Sequence, residues 1–303
     1  MRVTLRGRVV RACLAAIVVG IPASIGSFAA GPTDAVAASA PHIMLIVEEN
    51  EGYKQIIGDN SAAYINSLAN TYASATKWYG MMDSSLGDYV ALIAGEVGSH
   101  SSPTLVGELA ARGISWGAYM ESMPSTCYTG TGVGDYSKVH NPFVYFKSIK
   151  NTPSQCDHVV PFLGKDGSGL AQALNTNTAP DFIYVVPDVC DDMHNSCSPL
   201  DNRVKQGDQW LKSNLPTVLN SEWYADGGIV IITWDSATTS DTSGWNTGDG
   251  GHIPTIVVSA TSHGAFTSGG NHYGTLRAIE EAYGVALLGG SASPANGDLT
   301  PAF

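Results

Sequence analysis

A short apolar run that stops at two carboxylates and an amide constrains this chain more than any other stretch. Residues 43–47 read Ile-Met-Leu-Ile-Val, and Glu-Glu-Asn follows at 48–50. The same arrangement returns at residues 228–234, a β-branched run that stops at Asp235. In open α/β sheets, ligands bind at the carboxyl ends of strands, so these polar side chains are predicted to face a crevice from a rigid base.

Oxygen ligands from two strand ends suit a hard divalent cation, so Glu49, Asn50 and Asp235 form one candidate metal site. Acids just past a strand also serve as helix caps or as solvated turn residues. For either segment alone, the structural and functional interpretations are equally favoured. The presence of two such segments in one chain favours the functional interpretation.

Strand-like and helix-like segments alternate along the rest of the chain, with short loop-like clusters of Gly, Ser, Thr and Asn between them. This alternation predicts a three-layer α/β/α fold with a largely parallel central sheet and helices on both faces. Residues 124–161 break the rhythm and are predicted to lie over the strand ends. The predicted strands are 42–47, 75–79, 115–119, 181–186, 228–234 and 255–259, and the predicted helices are 61–72, 86–94, 104–112, 201–215 and 273–283.

The first 37 residues have the composition of an export signal. Four arginines precede an apolar run over residues 12–30, and Ala-Val-Ala at 35–37 provides a small-residue cleavage signature. Cleavage after Ala40 also satisfies that rule but would place Pro41 beside the cut bond. An uncleaved anchor is disfavoured because Gly and Pro interrupt the run. The sequence thus predicts a signal peptide over 1–37, one secreted domain over 38–303, and no integral membrane segment after cleavage.

The mature chain is predicted to be strongly acidic. Cleavage removes four of the fifteen Lys and Arg residues and one of the twenty-seven Asp and Glu residues, which leaves a formal charge of −15. Binding to nucleic acid requires a basic surface, and no cluster of Lys and Arg provides one. The expected partners therefore exclude nucleic acid.

Four cysteines remain after cleavage, an even count that predicts two disulfides in an exported chain. Three pairings are possible. Cys127–Cys156 with Cys190–Cys197 is favoured, because each pair closes a moderate loop with little helix or strand pattern. No Cys-x-x-Cys is present, so a redox or zinc-thiolate function is not expected.

Further polar segments are candidates for chemistry. Residues 82–89 form a polar turn that leads into an apolar helix, where a serine could place an oxyanion at the helix N-terminus; an ordinary N-cap serine is the favoured interpretation of this segment alone. Residues 187–194 put acids and a histidine after a predicted strand, either as ligands or as an exposed acidic loop held by Cys190. His140 and His252 are each weak signals beside a proline turn.

In this order, the segments resemble the secreted phosphoesterase family that groups bacterial acid phosphatases with phospholipase C-type enzymes. The resemblance extends from about residue 42 to residue 283. The segments that carry it are Glu-Glu-Asn at 48–50, Ser-x-x-x-Tyr at 85–89, His-Asn-Pro-Phe at 140–143, Pro-Asp-x-Cys-x-Asp-Met-His at 187–194, Gly-Asp-x-Trp-Leu at 207–211, Ile-Thr-Trp-Asp at 232–235 and Asn-His-Tyr-x-x-Leu-Arg at 271–277.

The resemblance implies an alkaline-phosphatase-like fold and hydrolysis of phosphate esters at a site that holds a divalent metal ion of unspecified identity. Carried over position by position, it implies a serine nucleophile, several metal ligands and two histidines beside the phosphate. The implied nucleophile is Ser85, the implied histidines are His140 and His194, and the candidate metal ligands are Glu49, Asn50, Ser85, Asp88, Asp192 and Asp235.

Two positions depart from the family pattern. Asp88 stands where the family usually has Asn, and Ser236 stands where a second acid usually follows Asp235. We hypothesise that Asp88 replaces the charge lost at position 236.

These features favour a secreted phosphomonoesterase that acts on a small phosphate ester or a phospholipid headgroup. A phospholipase C-type phosphodiesterase is the alternative enzyme, and Trp78, Tyr79, Met81 and Met82 could give it an apolar surface for lipid, although core packing explains them equally well. A non-catalytic secreted binding protein on the same fold is the alternative outside enzymes.

Overall fold

The computed structural model describes residues 1–2, 40–164, 169–238 and 240–303. Nearly all of the predicted signal peptide lies outside these residues, so the signal and the domain limits 38–303 stay predictions. No helix in the described part of the chain is both long and apolar enough to cross a bilayer.

One central sheet organises the described residues. Its strand order is β4-β3-β5-β1-β6-β7-β2-β8, and β9 also pairs with β2. The strands are β1 (Ile43–Glu48), β2 (Ala73–Tyr79), β3 (Trp116–Met120), β4 (Val159–Pro161), β5 (Phe182–Val186), β6 (Ile229–Trp234), β7 (His252–Val258), β8 (Gly264–Phe266) and β9 (Gly270–Asn271).

The sheet is largely parallel, which confirms the predicted fold class. Strand β1 pairs in parallel with both β5 and β6. Strand β7 is the exception, because it runs antiparallel to β6 and to β2. Every residue of β1 is buried, as expected for a continuous apolar strand covered on both faces.

Two groups of helices cover the sheet. Helices α3, α4 and α10 contact one another, and α2, α7 and α9 each contact α8. The α-helices are α1 (Tyr53–Ile56), α2 (Ala63–Thr71), α3 (Ser85–Ala94), α4 (Leu105–Ala111), α5 (Lys147–Lys150), α6 (Pro153–Cys156), α7 (Leu170–Asn175), α8 (Arg203–Leu219), α9 (Glu222–Ala225) and α10 (His272–Tyr283). The 3-10 helices are Asn60–Ala62, Lys138–His140, Pro142–Tyr145, Gly289–Ala292, Pro294–Asn296 and Thr300–Ala302.

Helix α8 extends past the end predicted at residue 215. Pro216 lies in its last turns, where proline removes one backbone hydrogen bond. The helix continues because Val218 is buried and the carbonyl of Pro216 accepts a 3.0 Å hydrogen bond from Asn220 N.

Residues 124–161 form short helical turns followed by β4. The prediction that this whole segment lies over the strand ends is wrong for its last part, since β4 pairs with β3 as the edge strand of the sheet. An edge strand tolerates Pro161 because one side of the strand forms no hydrogen bonds to a neighbouring strand, so the missing N–H of proline costs nothing there. Both favoured disulfides are confirmed, with Cα–Cα distances of 5.2 Å for Cys127–Cys156 and 5.6 Å for Cys190–Cys197.

Candidate active site

The ends of β1 and β6 lie side by side and hold two buried carboxylates. Glu48 and Trp234 are register partners in these parallel strands, so Glu49 and Asp235 follow at the same edge. Asn50 adopts a positive φ of 49°, a conformation that asparagine tolerates better than most residues, and its backbone N donates to Asp235 Oδ1 at 3.0 Å. The two candidate ligand segments are therefore joined directly.

Ser85 begins helix α3 and points its hydroxyl at this pair of strand ends. Its Oγ donates to Glu49 Oε2 at 3.1 Å, and Asn50 Nδ2 donates to the same oxygen at 2.8 Å. The N-cap of α3 is Ser84, whose side chain makes no capping hydrogen bond. Ser85 is therefore not the N-cap of this helix, and its hydroxyl is hydrogen-bonded to the Glu49 carboxylate instead.

His140 approaches Glu49 from the segment over the strand ends. Its Nδ1 makes a 2.9 Å hydrogen bond with Asp192 Oδ2, and its Nε2 lies 3.2 Å from Glu49 Oε1. The exposed ring of His194 lies beside it, with ring centroids 5.5 Å apart. One ligand-type atom each from Glu49, His140 and His194 lie within 4.8 Å of one another.

Burial dominates the electrostatics of this cluster. It raises the pKa of Glu49 well above its usual range, and the negative charges of Asp235 and Asp192 raise it further. Burial likewise raises the pKa of Asp192, and it lowers the pKa of His140 to about 4. Such a set of carboxylates is costly unless a cation or protons neutralise it.

Two buried oxygens of the cluster, Glu49 Oε1 and Asp235 Oδ2, make no hydrogen bond within the described residues. His140 Nε2, which lies 3.2 Å from Glu49 Oε1, belongs to a histidine whose lowered pKa leaves it neutral. Buried polar atoms are normally satisfied, and unpaired carboxylate oxygens that converge on one place fit a hard divalent cation. The donor set of Glu49, Asn50, Ser85 and Asp235 therefore fits the metal that the family resemblance implies.

Asp88 lies one helical turn after Ser85 and is fully buried. Its Oδ1 accepts from the backbone N of Met81 and of Met82, and lies 3.4 Å from His272 Nε2. Burial raises its pKa to about 7, although His272 opposes that shift. Asp88 thus fixes the turn that precedes Ser85, and its role as a metal ligand stays a prediction.

Ser236 and His272 complete the surroundings. Ser236 Oγ donates to Asn50 Oδ1 at 3.5 Å, so this serine lies beside an amide ligand candidate. The sequence patterns assign no role to His272, whose buried Nε2 contacts the backbone carbonyl of Asp235 as well as Asp88. The sequence signals for it are its place in the Asn-His-Tyr segment of the family resemblance and at the start of helix α10, which Asn271 caps.

Two of the four residues suggested for an apolar lipid surface lie in the interior, whereas Tyr79 and Met82 are half-buried. Trp78 is 0% exposed and donates its indole N–H to Thr275 Oγ1 at 2.9 Å, and Met81 is 5% exposed. Both side chains pack in the interior. The core-packing interpretation therefore holds for these residues.

The fold and this cluster fit a phosphoric ester hydrolase, and the family comparison shows that class. A family model described as "Phosphoesterase family" matches residues 60–286. The chain belongs to this family.

Relatives agree with that assignment, and a solved structure shares the fold. The chain is 31% identical to "Phosphatidylinositol-3-phosphatase" of Mycobacterium tuberculosis, over 85% of this chain and 83% of that protein. It is 22% identical to "Acid phosphatase" of Aspergillus fumigatus, over 80% of this chain and 54% of that protein, and spans about half the length of the fungal relatives that it matches. A Vibrio parahaemolyticus protein of the alkaline phosphatase superfamily shares the fold, with a TM-score of 0.58 at 12% identity over 84% of this chain and 70% of that one.

Proposed function

We propose that the protein is a metal-dependent phosphomonoesterase in which Ser85 is the nucleophile. The observation that carries this proposal is the convergence of the Ser85 hydroxyl, Glu49, Asn50 and Asp235 around buried oxygens that lack donors. When bound there, a divalent cation would polarise the phosphate oxygens and favour ionisation of the serine hydroxyl. Phosphoryl transfer depends mainly on such positioning and charge neutralisation.

The reaction has two halves, and the residues of the site have a role in each. Ser85 Oγ forms a bond to phosphorus while the bond from phosphorus to the ester oxygen breaks, which leaves a phosphoserine and an alcohol. The start of α3 offers backbone N–H groups and a positive dipole end to the phosphate oxygens. Water then attacks the phosphoserine, releases inorganic phosphate and restores the hydroxyl.

The two histidines have different surroundings and therefore different roles. His140 is 3% exposed, stacks on Tyr89 and is tied to Asp192, which suits a group that orients Glu49 and the phosphate. His194 is exposed and can exchange protons with water. We assign His194 to the protonation of the leaving alkoxide.

Names of the relatives support the substrate class. The Mycobacterium tuberculosis relative is a phosphatidylinositol-3-phosphatase, and the fungal relatives are acid phosphatases. Both names describe hydrolysis of phosphate monoesters. The two disulfides support a place of action outside the reducing cytoplasm, in line with the predicted export signal.

A substrate panel with and without chelator tests the proposal. We expect release of inorganic phosphate from an aryl phosphate, a nucleoside monophosphate or phosphatidylinositol 3-phosphate, at least about tenfold faster than cleavage of a bis-aryl diester. Chelation should abolish turnover, and a divalent cation should restore it. Preferred cleavage of the diester would support the phospholipase C-type alternative instead. A chain that retains metal but turns over no ester would be a binding protein.

Asp88→Asn tests whether this acid substitutes for the charge missing at position 236. The amide oxygen can still accept from Met81 N and Met82 N, so the turn before Ser85 should persist. If Asp88 contributes charge to the cation, bound metal and kcat should both fall by about tenfold or more. Elemental analysis of the purified variant checks this. Unchanged metal content would remove Asp88 from the ligand set.

A further inference from the structure

A second group of carboxylates lies on the face of β1 opposite to Glu49. Successive side chains of a strand point to opposite faces, so Glu48 points away from the Ser85 site. The pairing of β1 with β5 ends at Ile46 and Val185, and the pairing of β3 with β5 ends at Met120 and Val186. Continued along each strand, both registers bring Glu48 and Glu121 level with Pro187. Glu48 and Glu121 therefore share a face of the sheet, at its carboxyl edge.

The loop after β5 adds two more acids to this row. One carboxylate oxygen each from Glu121, Asp188 and Asp191 lie within 4.8 Å of one another. Oxygens bound to one calcium ion lie up to about 5 Å apart, because each sits 2.3–2.6 Å from the ion. The spacing of these three carboxylate oxygens is therefore that of oxygens bound to one cation.

The loop is shaped so that these oxygens stay together. Asp188 Oδ1 accepts from Cys190 N at 3.0 Å, and Asp188 Oδ2 accepts from Ser122 Oγ at 2.6 Å. Asp188 N donates to Glu121 Oε2 at 3.1 Å. These contacts position the group but bring no positive charge to it.

Glu48 gives independent evidence that this group faces a ligand. It is 0% exposed, and both of its carboxylate oxygens lack a hydrogen-bond partner within the described residues. The charges that act on it come from Asp192, Asp191, Glu121 and Asp208, all of them negative. No Lys or Arg of the described chain pairs with Glu48 or with the three clustered acids. An unpaired buried carboxyl within the field of Asp191 and Glu121 is costly unless protons or a cation neutralise the group.

We propose that Glu121, Asp188 and Asp191 bind a second divalent cation of the calcium type, separate from the Ser85 site, and that this cation also offsets the buried charge of Glu48 on the same face of the sheet. Calcium accepts six to eight oxygen ligands in flexible geometry, including water. Glu121 and Asp191 are only partly buried, so water can complete the shell.

This cation neutralises the loop that carries Asp192. Asp192 follows Asp191 directly, and its carboxylate holds His140 at 2.9 Å. The Cys190–Cys197 disulfide ties the same loop. The second site therefore acts on the active site by positioning Asp192, and it touches no substrate.

Calcium binding in the purified full chain tests the proposal without any activity measurement. We compare wild type with Asp191→Asn, with Glu121→Gln/Asp191→Asn, and with the exposed control Asp157→Asn/Asp226→Asn. Glu49→Gln is added to remove the charge of the other site. Equilibrium dialysis counts the bound calcium, and calcium-dependent thermal unfolding reports its effect on the fold.

We expect wild type, the exposed control and Glu49→Gln to bind calcium at this site and to unfold at higher temperature when calcium is added. The double variant should lose that ion, and Asp191→Asn should bind it at least about tenfold more weakly, as the loss of one charged ligand predicts. If the double variant does not fold, the single variant and the wild-type count decide the outcome.

Two results would overturn the proposal. One is equal calcium content in wild type and in Asp191→Asn, with equal thermal shifts. The other is a single bound ion that only Glu49→Gln removes. A cluster that shares protons would give the first result. Because no step of this test depends on turnover, failure of the phosphatase assignment would leave it unaffected.

Discussion

Replacing Ser85 by alanine should lower phosphate release by at least about a thousandfold, or about 4 kcal/mol of transition-state stabilisation. The substitution removes the only hydroxyl that the described residues place on Glu49 Oε2. The carboxylates and Asn50 remain, so bound metal and substrate KM should change far less than kcat. Steady-state kinetics on an aryl phosphate, with elemental analysis of the same sample, separates these effects.

Ser84→Ala is the matched control for this experiment. Ser84 is exposed, precedes Ser85 directly and makes no capping hydrogen bond with its side chain, so its loss should leave activity within about twofold. Acid quenching during turnover of a labelled monoester should trap phosphate on the peptide that contains Ser85. A Ser85→Ala variant that keeps more than a tenth of wild-type activity would require a different nucleophile.

Glu49→Gln should remove both the bound cation and the activity. Its Oε2 accepts from Ser85 and from Asn50, and its Oε1 makes no hydrogen bond within the described residues. Glutamine keeps the volume but supplies no charge, so we expect metal content to fall below detection and kcat/KM to fall by about a thousandfold or more. Elemental analysis and kinetics at added metal check both effects.

The same substitution should stabilise the metal-free fold. Glu49 is 0% exposed and is surrounded by the charges of Asp235 and Asp192. Removing a buried charge that has no cationic partner eliminates a cost of about 1–3 kcal/mol in the free energy of unfolding. Thermal unfolding in chelator should therefore show a higher midpoint for Glu49→Gln than for wild type. Asp157→Asn, an exposed change with no ion pair, should shift neither metal content nor midpoint, and a lower midpoint for Glu49→Gln would contradict the idea of an uncompensated charge.

The local sequence predicts the centre of the fold well, because the strongest strands are buried on both faces. The run that becomes β1 is apolar over five residues, and the run that becomes β6 has five β-branched residues in succession. Glu49 and Asp235 follow at their ends. The strands that the sequence does not reveal are β4, β8 and β9, which have only two or three residues each and lie at or near the margin of the sheet. So short a segment has no measurable periodicity.

The antiparallel direction of β7 is also not predicted by the alternation of strands and helices along the sequence. Residues 235–251 join β6 to β7 without a helix in the described part of that link. A parallel pair needs a crossover, usually helical, whereas an antiparallel neighbour can follow a plain loop. The absence of a helical pattern between these two strands was therefore the usable signal.

Long-range contacts account for the unpredicted parts of the site. His140 and Asp192 are 52 positions apart and meet only because the segment before β4 crosses the strand ends. Glu121 and Asp188 are 67 positions apart and meet through the register of β3 with β5. A single sequence contains neither register nor crossing. The sequence indicates which side chains suit a cation. The strand order and register of the sheet determine which of these side chains lie close enough to share one.

Strand β1 ends in two consecutive acids that serve opposite sides of the sheet. Deleting one residue within the strand would turn Glu48 toward the face of Ser85 and Glu49 toward the face of Glu121, and so would exchange the environments of both carboxyls at once. Point changes in β1 that keep its length can be absorbed by repacking, but length changes cannot. The number of residues in this strand is consequently under tighter constraint than their identity.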